Sequence, residues 1–147
     1  MNPEIQAILD RHVQEIAHVT GAVVVSEDGV FQYMSGWPAT PTSDPSKTPE
    51  QVRQEHGEHR AAMASSLVNL AQRIAALDDS GAAQRVMIET EHGWNVTSRS
   101  GEHSAIALSA AKDAALGQLG YQLALLAEQL GPLLDVERHK AAPGQAL

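Results

Sequence analysis

No cysteine occurs in the 147 residues, which excludes disulfides, thiolate nucleophiles, iron–sulfur clusters and cysteine-based zinc sites, and fits a reducing compartment. Aromatic residues are scarce: Phe31, Tyr33, Trp37, Trp94 and Tyr121 are the whole set, which counts against a flavin or haem pocket. Basic residues are outnumbered, ten against eighteen acidic, leaving a net charge of −8. Such a surface repels phosphate backbones and anionic lipid, so neither nucleic acid nor membrane insertion is expected. No apolar run approaches the roughly 18 residues of a spanning helix, and the chain does not open with a basic-then-apolar order, so a cytoplasmic location is expected. What is present is chain enough for one ordinary domain, and seven histidines that should make the surface charge strongly pH-dependent.

Catalytic signatures are missing as well. There is no phosphate loop of the form GxxxxGK[ST], no GxGxxG after a strand, no HExxH and no GxSxG. The chain is therefore expected not to be an enzyme and to hold no cofactor. His56-Gly57-Glu58-His59 is the only metal-like cluster; Gly57 undermines the helix that would align its two histidines, and we read it as a hydrated polar face.

Periodicity divides the chain into eight elements. Asn2-Pro3-Glu4 supplies an N-cap and a first-turn proline for an amphipathic helix from 3 to about 18. The β-branched run Ala22–Ser26, then Asp28-Gly29, then Val30–Met34 predict a hairpin closed by a tight turn with positive φ at both Asp28 and Gly29. Residues 36–49 hold four prolines and predict a surface loop, and the long loop and helix start together fill 36–58. Thr48, Pro49 and Gln51 form a helix start, Gly57 predicts a break or kink, and Asp78-Asp79-Ser80-Gly81 ends that helix after Leu77. Strands follow at 84–91, 94–99 and 104–110, and a leucine-spaced helix from 114 to 130 is closed by Gly131-Pro132. The segment 136–147 has little apolar content and is expected to be a disordered tail behind a single domain of residues 1–135. The order α-β-β-α-β-β-β-α implies an α+β fold, a five-stranded antiparallel sheet flanked by helices.

The middle helix carries more apolar surface than one packing face needs. Met63, Leu67, Leu70, Ile74 and Leu77 form one seam; Ala61, Ala64, Val68, Ala71 and Ala75 form another beside it. One face should dock on the sheet, and the small-residue face should admit a second helix. That helix comes either from the same chain or from another subunit, most commonly in a two-fold dimer. Trp37, in the proline-rich loop, is a candidate partner anchor and equally a candidate to fold back over the core edge.

Four strings carry a family resemblance: Gly21–Gly29, Ala61–Leu77, Ile88–Trp94 and Leu116–Leu126. In this order, across residues 3–131, they resemble the Roadblock / dynein light chain family, in particular its bacterial, actinobacterial-type members. The resemblance implies a Roadblock/profilin-like sandwich, and homo- or heterodimers that pair the middle helices and the strand after them. It implies a non-catalytic regulator or scaffold working with a small Ras-like GTPase in a bacterial signalling system. On that geometry Met63, Leu67, Leu70 and Ile74 divide between core and dimer seam, with Ala64, Val68, Ala71, Val86 and Ile88 at or near the homodimer interface. Ser66, Asn69 and Arg73, on the exposed side, are the candidates for GTPase contact, with Trp37 as a further anchor. Arg60 and Arg73 are the arginines available on this stretch of helix to supply charge to a GTPase transition state. The alternative reading, from another class, is a small-molecule sensor domain with an α+β sandwich fold.

Overall fold

Two caps set the helices in register. The Asn2 side chain accepts from the Glu4 N–H and starts α1 (Pro3–Glu15). Thr48 accepts from the Gln51 N–H while the Gln51 side chain accepts from the Thr48 N–H, a reciprocal capping box that starts α2 (Pro49–Leu77). The remaining elements are β1 (Val19–Ser26), β2 (Phe31–Gly36), β3 (Arg85–Glu89), β4 (Gly93–Ser100), β5 (Ser104–Ala111) and α3 (Leu116–Ala146). This computed structural model describes residues 1–37 and 44–146, the side chains of 141–146 excepted, so most of the proline-rich loop lies outside the described residues.

The strands form one five-stranded antiparallel sheet, as the order of elements predicts, and lie in the order β2-β1-β5-β4-β3. Both faces of its centre are covered, which is why β1 reads as an unbroken apolar run. Ala22 and Val24 join Ile5, Leu9, Leu123 and Leu130 on the α1/α3 side, whereas Val23 and Val25 join Ala61, Ala64, Ala105 and Ala107 under α2. No helix among the described residues is long and apolar enough to cross a membrane.

The structure corrects four local expectations. The hairpin exists, but its loop is one residue longer than a two-residue turn. Gly29 N–H donates to Ser26 C=O and Ser26 N–H donates to Val30 C=O, so Gly29 alone takes positive φ (85°). Gly57 does not interrupt α2. A Cβ there would lie 2.7 Å from Phe31 Cζ, so the missing side chain lets that ring pack against the helix backbone. Gly131-Pro132 does not end α3 either. Leu126, Leu130 and Leu134 are all buried on one face across the pair, and Gly131 is a close approach, its Cβ position 2.8 Å from the Gly101 nitrogen. Continued burial outweighs the backbone bond that Pro132 cannot donate. The stretch expected to be a disordered tail from Val136 onward is helical to Ala146, and Glu137 and Arg138 make tertiary contacts.

Candidate partner interface

α2 is roughly 43 Å long, but only its middle part is buried against the sheet. Its buried residues are Gly57, Ala61, Ala64 and Ser65, with Val68 packed beside them. The small-residue stripe therefore faces inward, the reverse of the arrangement expected from the sequence. The physical reason lies in the sheet: Val23, Val25, Ala105 and Ala107 form a shallow surface that small helix residues approach closely. The large seam is left outside. Met63 is 59 % exposed, Leu70 52 %, Ile74 53 % and Leu77 86 %. Leu67 and Ala71 are half-buried on its flank, and Ala64 is within the chain's own core rather than on the outer face.

Beside this seam the sheet ends at β3, which among the described residues pairs only with β4. Val86 is opposite Thr97, and Thr97 is opposite Ala107 of the α2-side cluster, which puts Val86 and Ile88 on the α2 side of the edge. Both are half-buried, while Met87 points to the other face and is 42 % exposed. The second edge of β3 thus offers unpaired backbone donors and acceptors next to an apolar helix face. Met63, Leu67, Leu70, Ala71 and Ile74 thus lie on the part of α2 that is not fully buried, and Val86 and Ile88 on the α2 side of the edge strand.

Ser66, Asn69 and Arg73 are exposed on α2. The Ser66 hydroxyl donates back to Ala62 C=O at 2.9 Å, and Asn69 lines a small cavity of about 140 Å³ with Gln72, Arg99 and His103. Trp37 does not project as an anchor. Its ring covers Gly21, where a Cβ would collide with Trp37 Cδ2, and its backbone N–H donates to Thr20 C=O at 2.7 Å. This is the fold-back arrangement, and Gly21 is the residue that makes room for it.

Trp37 instead builds a polar cluster that sequence reasoning missed. The Arg60 guanidinium lies 3.8 Å from the Trp37 ring centroid. Its Nε–H donates to His56 Nε2 at 2.7 Å and its Nη1 donates to Ser109 Oγ at 3.1 Å. Asn95 Nδ2 donates to the same Ser109 oxygen at 3.3 Å. Burial, then the charges of Arg60, His59 and Arg53, hold the His56 pKa below its ordinary value; burial alone lowers that of Arg60. The i,i+4 pair His56/Arg60 was visible in the sequence, but nothing local marked Ser109 or Asn95 as its partners. Among the described residues no three His, Cys, Asp or Glu side chains are grouped to hold a metal ion.

Comparison with known proteins gives the frame for this surface. The family model for the Roadblock/LC7 domain matches residues 5–110. A Roadblock/LC7 domain from Streptomyces avermitilis is 27 % identical, with a TM-score of 0.73 over 88 % of this chain and 96 % of that one. Myxococcus xanthus MglB superimposes with a TM-score of 0.71 over 90 % of this chain and 96 % of that one, at 14 % identity. Acanthamoeba castellanii profilin IA shares the fold at 16 % identity, with a TM-score of 0.54 over 85 % of this chain and 94 % of that one. Curated proteins offer no match. With its model spanning most of the sequence, and the same helix–strand arrangement in these structures, the chain belongs to the Roadblock/LC7 domain family.

Proposed function

We propose that the chain forms a homodimer through the outer seam of α2 and the open edge of β3, and serves as a non-catalytic regulator or scaffold of a small Ras-like GTPase in the bacterial cytoplasm. The observation that carries the first part is the coincidence of the two features. Met63, Leu70, Ile74 and Leu77 are at least half exposed beside a strand edge that has no second neighbour among the described residues. Pairing two copies would remove the seam from water at about 1–2 kcal/mol for each large side chain per subunit, and would extend the sheet across the contact. A related fold, MglB, is known in a tetrameric arrangement, at 18 % identity to this chain.

The GTPase reading is supported by family membership and by the polar residues on the exposed flank of α2, Ser66, Asn69 and Arg73. Arg60 is held by Trp37, His56 and Ser109, which leaves Arg73 as the arginine of this stretch available to reach a partner's nucleotide. The test is to titrate the protein into a small Ras-like GTPase encoded beside it, following complex formation and single-turnover GTP hydrolysis. Association with faster hydrolysis identifies an activator, and association without it a scaffold. Absence of association in both nucleotide states contradicts the proposal.

A further inference from the structure

We propose that Arg60 and Ser109, framed by Trp37, form an oxyanion-binding subsite that takes one carboxylate or phosphate group. A count of donors and acceptors carries it. A guanidinium has five N–H donors in a planar fork. Here Nε–H goes to His56 and one Nη1–H goes to Ser109, and no other acceptor among the described residues takes the rest. No ion pair among the described residues includes Arg60, and residues 38–43 and 141–147 contain no Asp or Glu. The acidic residues nearest in sequence are engaged elsewhere: Glu55 pairs with Lys47, and Glu58 accepts from Gln54. A half-buried cation is therefore left with no anionic side chain paired to it among the described residues.

Ser109 adds to the donor excess. Its oxygen accepts from both Arg60 and Asn95, so its own O–H remains to donate outward. Trp37, itself packed on Gly21, lies 3.8 Å from the guanidinium carbon and covers one side of it, while the fork's remaining N–H groups suit a bidentate oxyanion. The pairs Gly21↔Ser109, Ser109↔Asn95 and Asn95↔Ile88 set these groups in one row across the sheet. Arg60, Ser109, Asn95 and Trp37 are all half-exposed, so the row is open to solvent. Donors outnumbering acceptors around an unneutralised, partly dehydrated Arg is the chemistry that recognises an oxyanion. The subsite does not rest on the dimer or the GTPase reading.

The experiment uses the full chain with Trp94→Phe, which leaves Trp37 as its one tryptophan. Sodium phosphate and, separately, sodium acetate are titrated at pH 7.5 with chloride holding the ionic strength constant, while Trp37 emission and the melting midpoint are followed. The expected result is a saturable emission change and a raised midpoint with at least one anion, lost in Arg60→Gln and about tenfold weaker in Ser109→Ala. Saturation by phosphate at the lower concentration identifies a phosphate ligand; saturation by acetate at the lower concentration identifies a carboxylate. A non-saturating response to both anions, or the same saturation in Arg60→Gln, overturns the proposal. If circular dichroism shows that Arg60→Gln does not fold, Arg60→Lys and Ser109→Ala decide it: weaker binding in both supports the subsite, and unchanged binding in both overturns it.

Discussion

The phenol of Tyr33 donates to Glu137 Oε2 at 2.5 Å, joining β2 to the far part of α3 across 104 positions of sequence. The Tyr33 phenol oxygen in turn accepts from the Asn2 N–H, so the start of α1 is tied into the contact. Burial, reinforced by the carboxylate it donates to, pushes the Tyr33 pKa up to about 12. Tyr33→Phe strands both partners and should cost about 1–2 kcal/mol in urea unfolding. Ending the chain after Asp135 should lower the midpoint as well. An unchanged midpoint in both would mean that the helix beyond Asp135 adds nothing to stability.

Two glycines of α3 should answer the same substitution with opposite signs. Gly117 has nothing within 4 Å of its Cβ position, so Gly117→Ala should stabilise by about 0.5 kcal/mol through backbone entropy. Gly131 faces the Gly101 nitrogen at 2.8 Å, so Gly131→Ala should destabilise by about 1–3 kcal/mol as helix and turn are forced apart. Thermal melts of the two variants check this, and equal shifts contradict it.

His56 should make stability fall in acid. Its folded-state pKa lies below the ordinary value, because burial and the charges of Arg60, His59 and Arg53 disfavour the imidazolium. The unfolded chain then binds the extra proton first as pH drops through about 6.5, and stability is lost until the folded pKa is passed. Protonation also abolishes the Nε2 acceptor that Arg60 uses. His56→Gln keeps an acceptor without titrating. Urea unfolding at pH 7.5 and 5.5 should show wild type losing more stability than this variant; parallel losses contradict the assignment.

Arg73 separates folding from partner contact. It is exposed, so Arg73→Ala should change stability by less than about 0.5 kcal/mol. It should at the same time reduce any acceleration of GTP hydrolysis measured with the partner GTPase. Undiminished acceleration would remove the arginine-finger role.

Element order and both caps were legible in the sequence because each depends on a few adjacent residues, such as Asn2-Pro3 and Thr48-Pro49-x-Gln51, whereas strand bounds set by cross-strand pairing were not, β1 starting at Val19 rather than Ala22. The direction in which α2 faces was not. Both of its stripes are apolar, and the choice is made by Val23, Val25, Ala105 and Ala107, which belong to other elements. Gly57 and Gly131 read locally as helix breakers, yet each serves a tertiary approach, to Phe31 and to Gly101. Trp37 showed two possible roles, and only the fit of its ring on Gly21 selects one. The Arg60 cluster draws on residues 37, 56, 60, 95 and 109, a set that no linear motif contains.

The most direct measurement is the mass in solution of wild type and of Leu70→Glu with Ile74→Glu, by light scattering coupled to size exclusion at tens of micromolar. Both positions are about half exposed in the single chain, so the charges should leave its fold intact, as circular dichroism would show. The account predicts twice 15.7 kDa for wild type and one chain for the variant. A wild-type monomer, or a folded variant that remains a dimer, would contradict an interface on the outer seam of α2.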